Sequence, residues 1–201
     1  MKRSIRLGVL AFHGDVVEHI YASRTAAKVL HLSVEITEVR TKAQVNGIDG
    51  LILPGGESTT LHKLCIREGM WNDLHNVPCI FGTCAGAILI SKTILHKTDE
   101  QDSLKRIDIE IDRNAYGRQS DSFEKEVTTT LGMVNAIFIR APRILSIGKK
   151  VKVLAKNDDE IIACEETNLA RYALASTFHP ELSSTLFHEY FLTKIQEHMI
   201  Q

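Results

Sequence analysis

Ile5 to Ala11 is a nearly continuous apolar run, broken by Arg6. That is the pattern of a strand covered on both faces. It stops at Phe12-His13-Gly14-Asp15, and Val16 to Leu30 then carries apolar residues at helical spacing. Asp15 followed three residues later by Glu18 has the form of an N-cap with a capping box. Val34 to Val39 alternates apolar and polar positions and predicts a second strand. Gly50-Leu51-Ile52-Leu53 predicts a third, short and fully apolar, ended by Pro54-Gly55-Gly56. Glu57 to Glu68 reads as a helix, Trp71 to His75 as a further turn, Pro78 to Gly82 as a fourth buried strand, and Ala85 to Leu95 as another helix.

Strands alternating with helices imply βαβ units and a parallel sheet with helices on both faces. Beyond about residue 105 the pattern changes. Strand-like segments follow one another at 107–111, 127–131, 136–140, 151–155, 160–164 and 171–178. A closing helix is expected from about Ser183 to Met199, with apolar positions 186, 187, 190, 191, 195 and 199 on one stripe. There is no internal repeat, low-complexity tract or interdomain linker, so the 201 residues are expected to form one domain. The expected class is α/β, with a central mostly parallel sheet and an antiparallel extension.

Composition narrows the function. The net charge of -1 gives no basic field to attract nucleic acid or an anionic membrane. The amino-terminal apolar run is too short to span a bilayer and too polar for a signal peptide. The four cysteines, Cys65, Cys79, Cys84 and Cys164, form no CxxC pair. A structural zinc site is therefore not expected, and a reduced cytoplasm fits.

One cysteine has a distinctive context. Gly82-Thr83-Cys84-Ala85-Gly86 lies between a buried strand and a helix, the G-x-nucleophile-x-G elbow with cysteine in place of serine. The start of the following helix favours thiolate over thiol, and the Ala85 amide would face a developing oxyanion. A base is available in Phe178-His179-Pro180-Glu181, where a carboxylate two residues beyond the imidazole can fix its tautomer. Pro54-Gly55-Gly56-Glu57-Ser58-Thr59 adds a tight turn whose backbone amides can donate to an oxyanion or a carboxylate. Taken singly, each segment also reads blandly: a buried cysteine, a strand-end histidine, a capped turn.

Together these segments resemble the class I, triad-type glutamine amidotransferases, whose fold is flavodoxin-like and three-layered. A narrower likeness spans nearly the whole chain. Leu51–Thr60, Phe81–Gly86, Arg113–Glu124, Phe138–Pro142 and Phe178–Leu182 are similar to the glutaminase subunits of pyridoxal 5'-phosphate synthase. The resemblance implies a glutaminase domain over residues 1–201. Cys84 attacks the glutamine carboxamide, His179 moves protons and Glu181 orients it. Gly56 and Ala85 form the oxyanion hole, and L-glutamine is held by Gly56, Glu57, Ser58, Arg113, Ile139 and Arg140. Guanidinium groups suit a substrate that carries an α-carboxylate. The resemblance further implies no cofactor and no metal. Ammonia would go to a separate synthase subunit in a hetero-oligomeric complex, with no nucleic acid or membrane partner. The family usually carries Leu-Gln-Gly after the first strand, whereas this chain has Phe12-His13-Gly14. Two rival functions fit the same elbow. A hydrolase or protease of this broad fold would lack use for Glu57, Arg113 and Arg140, and a non-catalytic binding subunit would not need the triad.

Overall fold

The computed structural model describes residues 3–115, 122–168 and 170–200. Five parallel strands form its centre in the order β2-β1-β3-β4-β12: Val34–Val39, Ile5–Leu10, Gly50–Leu53, Cys79–Thr83 and Arg171–Ser176. Antiparallel strands continue from β12 through β11 (Glu160–Asn168), β10 (Lys152–Asn157), β7 (Phe123–Thr129) and β8 (Gly132–Phe138). A branch leaves β11 through β9 (Arg143–Ile147) to β6 (Ile107–Asp112) and β5 (Ser91–Leu95). The expected sheet, mostly parallel at its centre with an antiparallel extension, is the one found.

Why the central strands are apolar throughout is clear from where their side chains go. Leu51, Leu53, Ile80, Ala173 and Ala175 pack on one face, with Leu61, Cys65, Trp71 and Leu74. These last belong to α3 (Ser58–Arg67) and α4 (Trp71–Leu74). The alternate residues Leu7, Val9, Ile52, Phe81 and Leu174 pack on the other face, against Ile20 and Ala26 of α1 (Val16–Val29) and Phe187, Phe191 and Ile195 of α6 (Leu186–Ile200). A period-2 strand sandwiched between two helical layers has no solvent face on which to place polar residues. No helix among the described residues is long and apolar enough to cross a membrane.

Several local expectations are corrected. The helix expected to run to Leu95 ends at Ile90, because Ser91 turns into extended backbone and its hydroxyl donates to the Ile88 carbonyl at 2.8 Å. The next five residues form β5, paired in parallel with β6 from Ser91↔Ile107 to Leu95↔Asp112. Asp15 stands at the start of α1 but its side chain makes no capping bond. The short helix Lys42–Val45 (α2) and strand β9 are additional to the expected elements. Residues 116–121, part of the Arg113–Glu124 block, lie outside the described residues.

The site depends on how closely the carboxyl ends of β3 and β4 approach the first turn of α5 (Ala85–Ile90). A Cβ on Gly86 would stand 1.9 Å from the backbone oxygen of Leu53, and one on Gly82 would stand 2.5 Å from the Gly86 carbonyl group. Neither neighbour is a side chain that can rotate away. Gly86→Ala is therefore expected to destabilise the fold by at least the ~1–3 kcal/mol typical of overpacking, measured by chemical denaturation. A variant as stable as the parent would show that α5 can move off the sheet at no cost.

Candidate active site

Cys84 sits between β4 and α5 with φ 49° and ψ -107°, a backbone conformation that non-glycine residues rarely adopt. It is held there by its own N–H, which donates to the Ser176 carbonyl of the neighbouring β12 at 2.8 Å. Its Sγ lies 3.8 Å from the Ile139 carbonyl oxygen. The strand register explains how the base reaches it. β4 and β12 pair in parallel, Gly82 opposite Ala175 and Thr83 opposite Ser176, so both chains leave the sheet at the same edge. Three residues later β12 delivers His179, whose backbone N–H donates to Ile137 at 2.9 Å.

His179 is buried, and its Nδ1 is 2.8 Å from Oε1 of Glu181. Glu181 lies in the short 3₁₀ turn Pro180–Leu182, with its side chain shut off from solvent. Cys84 and the His179 ring line the same cavity, and Glu181 stands on the Nδ1 side of the imidazole. A second carboxylate was not anticipated: Asp15 Oδ2 is 2.9 Å from the same Nδ1. This is why Asp15 fails to cap α1. Burial alone would lower the His179 pKa, but hydrogen bonds with Asp15, Cys84 and Glu181 raise it well above the usual imidazole value. Burial would raise that of Glu181, and His19 and His179 together depress it instead. Asp15, His179 and Glu181 bring three potential metal-ligand atoms within 4.8 Å of one another. Here the Nδ1 of His179 is hydrogen-bonded to Glu181 and lies within ion-pair distance of Asp15.

Cys84, His179, Gly56, Glu57, Ser58, Ala85, Arg113, Ile139 and Arg140, all singled out from sequence, line one cavity of about 300 Å³. Glu181 lies behind His179. Gly14, Asp15, Ile88 and Asn114 complete the lining and carried no sequence signal for it. Glu57 caps α3, accepting from the Thr59 and Thr60 N–H groups at 3.1 and 2.6 Å. It also accepts from Arg113 Nη2 at 2.8 Å. Partial burial works to raise its pKa, but the Thr60 and Thr59 hydrogen bonds and the Arg113 charge bring it down to about 2. Arg113 Nη1 donates to Thr59 Oγ1 at 2.7 Å and to Oε1 of the buried Gln101. One end of the cavity thus holds an opposed carboxylate and guanidinium, the other the thiol. Gly56 has φ 122° and packs against His13, whose Nδ1 would be 2.3 Å from a Cβ at that position. Arg140, exposed at the rim, also has positive φ, 46°.

The chain is similar to known proteins in both sequence and fold. Residues 9–197 match the model of the SNO glutamine amidotransferase family. A pyridoxal 5'-phosphate synthase subunit PdxT of Pyrococcus horikoshii is 40% identical over 199 residues, covering 95% of this chain and 100% of the relative. The protein of the same name from Methanosarcina barkeri is 42% identical over 200 residues, covering 95% and 98%. A solved structure described as a glutamine amidotransferase superposes with a TM-score of 0.80 at 38% identity, over 94% of this chain and 98% of the other.

The depressed Glu181 pKa has a consequence for stability. A carboxyl held more acidic in the folded state stabilises it fully above the unfolded value of 4.5, and that contribution fades as pH falls below 4.5 toward the folded value. His179, raised, is protonated in both states well below 6.5 and adds no slope there. The melting temperature of the parent should therefore exceed that of Glu181→Gln by more at pH 5.5 than at pH 3. A gap independent of pH over that range would show that the carboxylate is not held as an anion by its neighbours.

Proposed function

This chain belongs to the SNO glutamine amidotransferase family, and we propose that it hydrolyses L-glutamine to L-glutamate and ammonia through Cys84, His179 and Glu181. The observation that carries the proposal is the His179 ring, hydrogen-bonded to Glu181, sharing one cavity with Cys84 and with a Glu57–Arg113 pair. The Cys84 thiol gives its proton to His179 and the thiolate attacks the carboxamide carbon. The carbonyl oxygen becomes an oxyanion facing the amides of Gly56 and Ala85. His179 returns the proton to the nitrogen, the C–N bond breaks, and ammonia leaves a thioester on Cys84. His179 then takes a proton from water, whose oxygen attacks the thioester, and the thiol and L-glutamate are released. Glu181 keeps the imidazole in the tautomer that presents Nε2 to sulfur.

Substrate recognition follows from charge. Free glutamine is a zwitterion, and the cavity offers Arg113 to its α-carboxylate and Glu57 to its α-ammonium, with Ser58, Ile139 and Arg140 alongside. An esterase or peptidase of the same fold has no need of that charged pair. Relatives that carry the name pyridoxal 5'-phosphate synthase subunit support delivery of the ammonia to a separate synthase subunit in a hetero-oligomer. We take residues 1–201 as one glutaminase domain. We place it in the cytoplasm, which suits four cysteines that are all unpaired.

The test is glutamate and ammonia production from L-glutamine by the full chain, with and without the synthase subunit, against ester and peptide substrates. Cys84→Ser should abolish turnover. A glutamine-like electrophile should modify Cys84 alone, since burial pushes the thiols of Cys65, Cys79 and Cys164 up to about 12. Activity surviving in Cys84→Ser, or hydrolysis of esters in preference to glutamine, would sink the proposal. Arg113→Ala should raise KM by roughly 10- to 150-fold, the loss of a charge-assisted contact of about 1.5–3 kcal/mol, while kcat changes little. An unchanged KM would remove Arg113 from the substrate site.

A further inference from the structure

His19 lies on α1, wholly buried and outside the cavity. Its Nε2 is 3.1 Å from Oγ1 of Thr83, the residue before Cys84, and 3.4 Å from Oε1 of Glu181. Its Nδ1 is 2.9 Å from Nε2 of His188 on α6, also buried. A row of side chains, His188–His19–Glu181–His179, therefore runs from the α1–α6 layer to the imidazole beside the thiol. We propose that His19 is a positioning residue that clamps Glu181 in the orientation His179 requires. The inference rests on the triad chemistry proposed above.

Counting protons fixes the direction of the clamp. A neutral imidazole has one N–H and one acceptor nitrogen. His188 is neutral: burial, and then the His19 charge when present, push its pKa down to about 3. Its Nδ1 has no hydrogen-bond partner among the described residues. A proton on that nitrogen would be a buried N–H without an acceptor, which is costly. With the proton on Nε2 instead, His188 donates to His19 Nδ1. The His19 proton must then sit on Nε2, where it points at Thr83 and Glu181. Of the four tautomer combinations of two neutral rings, this alone turns a His19 N–H toward Thr83 and Glu181 and leaves no buried N–H unmatched. Oε1 of Glu181 then faces ring nitrogens on two sides, His179 Nδ1 at 2.8 Å and His19 Nε2 at 3.4 Å, while Oε2 has no partner among the described residues.

The clamp matters because His179 has a choice. Its single Nδ1–H faces both Glu181 and Asp15, at 2.8 and 2.9 Å. Asp15 is partly exposed at the cavity edge, where water competes for its carboxylate, whereas Glu181 is shut off from solvent in the core. His19 supplies that anchor, and through Thr83 it also steadies the strand end that presents the nucleophile.

The experiment compares His19→Leu, which fills the space without donating, with His19→Gln, whose amide can still donate to Glu181 and accept from His188. Kinetics are measured on the full chain with the synthase subunit present. His19→Leu should lower kcat about tenfold or more with KM within twofold, and His19→Gln should recover most of the loss. In a Glu181→Gln background, His19→Leu should add little further loss, since both act through one carboxylate. Imidazole ¹⁵N spectra of the unsubstituted protein give a reading independent of whether His19→Leu folds, and both His19 and His188 should appear as the Nε2–H tautomer. An unchanged kcat, a change confined to KM, equal losses in the Leu and Gln variants, multiplicative losses with Glu181→Gln, or an Nδ1–H tautomer at either ring would overturn the inference. If those results arise while Cys84→Ser remains inactive, only the role of His19 falls. If Cys84→Ser is active, the triad itself falls.

Discussion

A single methyl group on Gly86 would collide with the backbone oxygen of Leu53, and much of the site follows from that contact. Because α5 is pressed onto the ends of β3 and β4, the chain must reverse within one residue, and that residue is Cys84 with its positive φ. The strain is held by neighbours that cannot yield: the Ser176 carbonyl, the Gly82 backbone and the packed helix behind. The same crowding puts Gly55 against His179, where a Cβ would stand 2.5 Å from Cε1 of the ring. Cys84, His179 and the glycine turn are thus fixed relative to one another by backbone contacts, before any side-chain chemistry is considered.

The charged groups of the site stand in matched sets, Glu181 buried and Glu57 half-exposed. An isolated carboxylate at the depth of Glu181 would carry a desolvation penalty of several kcal/mol, and it is tolerated because donors surround it. Glu57 is handled similarly at the other end of the cavity, where two helix N–H groups and Arg113 converge on one carboxylate. Both anions therefore stay ionised under the conditions in which the thiol must be activated. The cavity lined by Glu57 and Arg113 would, on the proposed reading, give a zwitterionic amino acid a charged partner for each charged group.

The parallel half of this fold was legible because its strands are buried on both faces and cannot hide their pattern. The elbow and the Phe178–Glu181 segment were legible because glycines, proline and the spacing of His179 and Glu181 are local features. What escaped was decided by distant partners. Ile88 to Leu95 is apolar enough for helix or strand, and only its pairing with β6 makes Ser91–Leu95 extended. Asp15 has the local chemistry of a cap, yet His179, far along the chain, offers its carboxylate a stronger partner. His19 looked like one histidine among nine. Its neighbours Thr83, Glu181 and His188 come from three separate stretches of chain, and no local pattern could announce their meeting.

The parallel register of β4 with β12 separates two histories within one molecule. The reacting groups depend on strands whose ends are locked side by side, Thr83 opposite Ser176. Arg113, Ile139 and Arg140 instead belong to the long excursion that leaves after β4 and returns at β12, built of the antiparallel strands and the β5–β6 branch. Descendants of such a chain could rewrite the parts of the excursion away from Ile137 and Ile139, and with them what the cavity admits, while those two carbonyls keep His179 and Cys84 in place. The architecture thereby lets selectivity diverge while the chemistry is inherited intact.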